Sequence, residues 1–176
     1  MSKVVWGMDD YDADQEDLNA FATVLTGMYH AQIYDYRTEM KKHGICHVFS
    51  WEIVGTENDP RKLPMIGRKL SEYMHDYESC QGMFRRQVRA LAVATGYWTR
   101  ETLNSAKEQG LSIPAPVFRQ FKGLACVIKV QEEEYLKKTY SRIKGYYPVD
   151  SNEARESGVL IDEIVTPLAS GDDVVL

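Results

Sequence analysis

Residues 28–42, MYHAQIYDYRTEMKK, alternate with period two, and this reading decides the fold. Strict alternation places Tyr29, Ala31 and Ile33 on one face and His30, Gln32, Tyr34 and Tyr36 on the other. The pattern predicts a strand. Lys41, Lys42, His43 and Gly44 supply a turn. After it, ICHVFSWEIV at 45–54 puts Ile45, His47, Phe49, Trp51 and Ile53 on one side, in a run rich in β-branched and aromatic residues. The two segments pair as a hairpin. GTENDPRKLP at 55–64 breaks the pattern, and IGRKLSEYMH at 66–75 supplies a third short strand.

The period then changes. From Ser79 to Ala94 the apolar Met83, Phe84, Val88, Leu91 and Ala92 recur at helical spacing, with Arg85, Arg86 and Arg89 on another side. Ser79 is the expected N-cap and Gly96 the stop, and a second short helix runs from Thr99 towards Gly110. Prolines 114 and 116 end helical structure, FKGLACVIKV at 121–130 alternates as a fourth strand, and YLKKTYSRIKGYYPV at 135–149 makes a fifth after a turn at Glu132 to Glu134. Three strands, a helix and two strands match the five-stranded Greek-key barrel with a helix between strands 3 and 4, the OB fold. The expected class is therefore mainly β with an inserted helix. Its units are an acidic arm at 1–20, a barrel at 21–149 and a flexible acidic tail at 150–176.

Charge divides along the same boundaries. The chain has a net charge of −5, yet residues 21–149 hold 19 Lys and Arg against 13 Asp and Glu, while both ends are acidic. A basic body between acidic ends suits a polyanion partner. No run approaches the roughly 20 apolar residues needed to cross a bilayer. The acidic start MSKVVWGMDDYDADQED does not read as an export signal, so a cytoplasmic protein with reduced Cys46, Cys80 and Cys126 is expected.

Catalytic signatures are absent: there is no GxSxG, HExxH, Walker loop or GxGxxG. Asp9, Asp10, Asp12 and Asp14 lack the glycine and closing glutamate of a calcium loop. On a strand, Cys46 and His47 point to opposite faces, against a shared metal. The expectation is a binding protein without cofactor or metal.

The fifth strand carries the most specific signal. With Thr139, Ser141 and Ile143 inward, Lys138, Tyr140, Arg142, Lys144 and Tyr146 line the outer face. Interleaved cations and aromatic rings hold single strands, because the charges follow phosphates while rings stack on bases. Tyr34, Tyr36 and Arg37 of the first hairpin and Arg68 and Lys69 of the third strand extend the expected groove. Trp51 shares its parity with Ile45 and Ile53, which favours the core, but it remains a candidate for stacking. Arg85, Arg86 and Arg89 either continue the phosphate track or form a solvated helix face.

Across residues 27–149 the chain resembles small phage-encoded single-stranded DNA-binding proteins with an OB fold. The resemblance rests on GMYHAQI, GRKLSEY, LAVATG, FKGLACVIKV and YSRIKGYYPV, with residues 98–118 as a departure. It implies a protein that coats single-stranded DNA, with RNA as the alternative polyanion, during phage replication or recombination, and that admits homo-oligomers. The ending SGDDVVL is similar to the acidic tails through which such proteins recruit replication or recombination enzymes. Asp172, Asp173, Val174, Val175 and Leu176 would be that docking peptide. The alternative is a phage effector or interaction module that meets a host protein through the barrel face.

Overall fold

The structure, a computed structural model, describes residues 23–161. Five strands are built as the periodicity requires: β1 (Gly27–Lys41), β2 (Gly44–Thr56), β3 (Lys69–Tyr77), β4 (Ala125–Tyr135) and β5 (Lys138–Tyr147). They form one antiparallel sheet in the order β3-β2-β1-β4-β5. Helices α1 (Gln81–Thr95) and α2 (Arg100–Glu108) lie between β3 and β4, and α3 (Asn152–Ser157) follows β5. The class is mainly β with helices. No ladder joins β3 to β5 among the described residues, so the sheet is not closed by backbone pairing.

The core lies on one face of the sheet. Tyr29, Ala31 and Ile33 of β1 meet Phe49, Trp51 and Ile53 of β2, Leu70 and Met74 of β3, and Cys126, Ile128 and Val130 of β4. Helix α1 covers them with Phe84, Val88, Leu91 and Ala92, a stripe at i, i+4, i+7 and i+8. Each large apolar side chain moved out of water contributes about 1.5–3 kcal/mol.

Three strand irregularities bend this sheet. Val54 on β2, Tyr34 on β1 and Lys144 on β5 have no partner in the register, each the extra residue of a β-bulge. A bulge bends its strand and increases the local twist. The curl brings the edge strands together: the Tyr146 hydroxyl of β5 donates to the Glu72 carboxylate of β3, and the rings of Tyr146 and Trp51 stack with centroids 6.1 Å apart.

Helix ends obey local chemistry, with one change from expectation. Gly96 stops α1 at φ +81°, a conformation glycine adopts without strain, and the Thr99 hydroxyl caps α2 by accepting from the Thr102 amide. Ser79 is not the N-cap of α1, because a 3-10 turn at Glu78–Cys80 comes first and the helix begins at Gln81. The β4–β5 turn also moves: both strands run on past Glu134, and the chain reverses at Leu136 and Lys137, whose φ angles are 49° and 64°.

The expected tail boundary at residue 150 is corrected. Ser151 caps α3 through the Ala154 amide, and Ala154 and Val159 pack with Val127, Met28 and Tyr147 on the sheet face opposite the core. Val159 bridges to Glu57, and the Leu160 amide donates to the Thr56 carbonyl at 3.0 Å. Residues 151–161 thus belong to the fold. The acidic arm at 1–20 and Asp172, Asp173, Val174, Val175 and Leu176 lie outside the described residues. No helix among the described residues is long and apolar enough to cross a membrane.

Candidate nucleic-acid interface

The face turned away from the core carries Lys69, Ser71, Tyr73 and His75 of β3, because Leu70 and Met74 point inward. Register places Val48 of β2 between Tyr73 on one side and Arg37 of β1 on the other. Four residues back along β3 from Tyr73, Lys69 holds its ammonium over the Tyr34 ring, 5.1 Å from the centroid. On β5 the Arg142 guanidinium lies 5.9 Å from the centre of the Tyr140 ring. Cations and tyrosines therefore alternate at the outward positions of β5 and meet across β1 and β3, with ring–cation attraction holding two of the pairs.

Tyr73 completes this set and sequence reasoning passed over it. Its signal was available, since it shares parity with Lys69 on a strand already recognised. It is 46 % exposed, enough to present a ring face.

Four of the expected site residues stand elsewhere. Trp51 is fully buried, and its indole N–H donates to Glu72 at 3.2 Å, so it is a core residue and not a stacking platform. Tyr146 has been carried inward by the bulge at Lys144, which shifts every later β5 residue to the opposite face. The bulge at Tyr34 does the same to Tyr36, which packs against Phe49 and donates or accepts with His47 Nδ1 at 2.6 Å. Arg68 turns towards the start of the described chain, where its Nη1 donates to the Thr23 carbonyl at 2.5 Å and its Nε is enclosed without a partner. Its charge serves the fold.

The remaining seven, Tyr34, Arg37, Lys69, Lys138, Tyr140, Arg142 and Lys144, do reach the outer face, though not as free charges throughout. Arg37 pairs with Glu39 at 3.0 Å, and Lys41 holds the same carboxylate at 2.9 Å. Arg142 lies 3.4 Å from Glu133, which Lys144 also engages. The Lys144 hydrogen bond holds the Glu133 carboxyl below the usual carboxylate range, so it stays ionised and competes with any phosphate. Exposed pairs of this kind are weak, and a polyanion can displace them.

The seam beneath the face is polar and half-buried. Burial raises the Glu72 carboxyl to about 7, although the bonds from Tyr146 and Trp51 act in the other direction. Tyr146 itself is pushed well above the ordinary tyrosine range, first by burial and then by the Glu72 charge. Near the other end of the core, burial lowers the His47 pKa, only partly offset by Asp76, whose carboxylate stands 3.7 Å from Nε2 and so is too distant for a hydrogen bond. Phe118 stacks on the His47 ring at 4.2 Å.

The strongly shifted Glu72 and Tyr146 bond to each other beneath the face. No group of three or more His, Cys, Asp or Glu among the described residues could hold a metal ion. No family model matches the chain, and no curated protein matches it.

Proposed function

We propose that this protein binds single-stranded DNA with little sequence preference, along the outward face of a curled sheet of the OB type. The connectivity supports the fold reading: β1 lies between β2 and β4, β3 and β5 form the edges, and the helix stands between β3 and β4. The observation that carries the functional reading is the repeated pairing of a cation with an outward tyrosine, Lys69 with Tyr34 and Arg142 with Tyr140. Stacking on such rings contributes about 1–3 kcal/mol per base, and the cations follow the backbone.

In this reading the protein coats and protects single strands during phage replication or recombination, and the acidic sequence at 172–176 recruits partner enzymes. It needs no cofactor and performs no chemistry on the strand. Gel shifts with an oligonucleotide and its duplex test it: the single strand should shift at lower protein concentration, without cleavage products in the presence of magnesium. Equal shifts, or none at low salt, would overturn it.

One observation favours a second reading. Glu133 already neutralises Arg142 and Lys144, and a face of tyrosines with paired charges also fits a protein partner. Such an interface would bind one protein with little salt dependence and leave oligonucleotides unshifted.

A further inference from the structure

Away from the sheet face, a groove of about 790 Å³ runs between α1, α2 and residues 111–118. That size is within the range of ligand clefts, about 300–1,000 Å³. Its walls are apolar, with Val88, Leu103, Leu111 and Ile113 beside the rings of Phe84, Trp98 and Phe118, and Leu111 is 61 % exposed. Leaving such side chains in water is unfavourable unless something covers them.

The mouth of the groove is basic. Arg85 and Arg89 project from α1 one helical turn apart, about 6 Å, and Lys107 lines the groove from α2. None of the three has an ion pair among the described residues, unlike Arg37, Arg142 and Lys144 on the sheet. The lining includes one carboxylate, Asp76, which already accepts from the Gln81 side chain. Three cations therefore surround an apolar trough.

We propose that this groove docks an acidic peptide segment of another protein, with aliphatic side chains in the trough and carboxylates on Arg85, Arg89 and Lys107. Guanidinium groups bind carboxylates with two parallel hydrogen bonds, which gives both strength and orientation. A nucleic-acid strand fits the groove less well, because bases need free aromatic faces. Phe118 and Phe84 already stack on His47, and Trp98 meets Tyr97 edge-on with centroids 5.8 Å apart. The proposal does not depend on the sheet face binding DNA.

Fluorescence anisotropy of the full chain with a labelled synthetic peptide tests it. The probe alternates Leu and Ile with Asp and Glu, and its control replaces every acid by Lys. The acidic peptide should bind saturably and the basic one should not. Arg85→Ala with Arg89→Ala should weaken binding about tenfold while circular dichroism and oligonucleotide binding stay as in the parent. Leu103→Asn should weaken it without changing the net charge. Equal binding of the two peptides, no binding, or a double variant that binds like the parent would overturn the proposal. So would displacement of the peptide by a single-stranded oligonucleotide that loses affinity for the same double variant, since the groove would then be a nucleic-acid path. Binding that appears only after removal of residues 162–176 would assign the groove to the chain's own acidic segment and exclude an external partner.

Discussion

The Tyr146 hydroxyl donates to the Glu72 carboxylate and so joins β5 to β3, the two edge strands that no backbone ladder connects. Trp51 donates to the other carboxylate oxygen at 3.2 Å and stacks on the Tyr146 ring. Tyr146→Phe should therefore cost about 1–3 kcal/mol, because a half-buried carboxyl loses a donor. Trp51→Ala should cost more, about 3–5 kcal/mol, through the cavity it leaves. Denaturant unfolding monitored by far-UV circular dichroism measures both. A Tyr146→Phe protein as stable as the parent would show that the ring alone holds the seam.

Glu72 also gives the fold a pH dependence with a definite sign. The folded protein holds the carboxyl proton up to about 7, whereas the unfolded chain releases it near the ordinary value of 4.5. The group's stabilising contribution is therefore complete below the unfolded value and lost as pH rises through about 7. Glu72→Gln should flatten the decline in stability between about pH 5 and about pH 8 relative to the parent. Parallel profiles for the two proteins would show that Glu72 ionises normally in the fold.

The β4–β5 turn places Leu136 and Lys137 at positive φ, where a side chain costs about 1–2 kcal/mol per residue. Leu136→Asn with Lys137→Gly supplies the residues that a two-residue hairpin turn favours. This pair should raise the melting temperature by a few degrees, about 1 kcal/mol of added stability. A lower melting temperature would mean that the turn is built differently.

Two truncations separate the packed residues after β5 from the sequence beyond them. A chain ending at 149 loses Ala154 and Val159 from the apolar cluster with Val127, and should melt lower than the parent. A chain ending at 161 keeps that cluster and should melt with it. Gly55→Ala tests the same junction from the sheet side, since a Cβ there would collide with the Leu160 carbonyl, and it should destabilise the full chain.

On the proposed interface, Tyr140→Ala and Arg142→Ala should weaken single-strand binding by different routes. Loss of the ring removes stacking of about 1–3 kcal/mol and leaves the salt slope nearly unchanged. Loss of the guanidinium makes the slope shallower, because fewer counterions are released. Both residues are exposed, so both variants should fold. Unchanged binding in both would place the strand elsewhere.

The elements were legible in the sequence because periodicity reports which residues share a face, and β1, β2, β3 and α1 follow from it almost directly. The site was less legible. Tyr36 and Tyr146 were expected outside on strict alternation, and both lie inside because a single extra residue, Tyr34 or Lys144, reverses parity for the rest of its strand. Nothing local in YDYR or RIKGYY announces a bulge, since its position depends on the partner strand's register. Trp51 was legible, because Ile53 on the same face had already indicated the core. The packing of residues 151–161 was not, because six helical residues are too few to establish a period.

The most direct test is an equilibrium titration of a fluorescent single-stranded oligonucleotide and the matching duplex with the full chain, over a series of salt concentrations. The account predicts tighter binding to the single strand at every salt concentration, with the logarithm of affinity falling linearly as the logarithm of salt rises. Equal affinity for the two forms, or binding to neither at low salt, would contradict it.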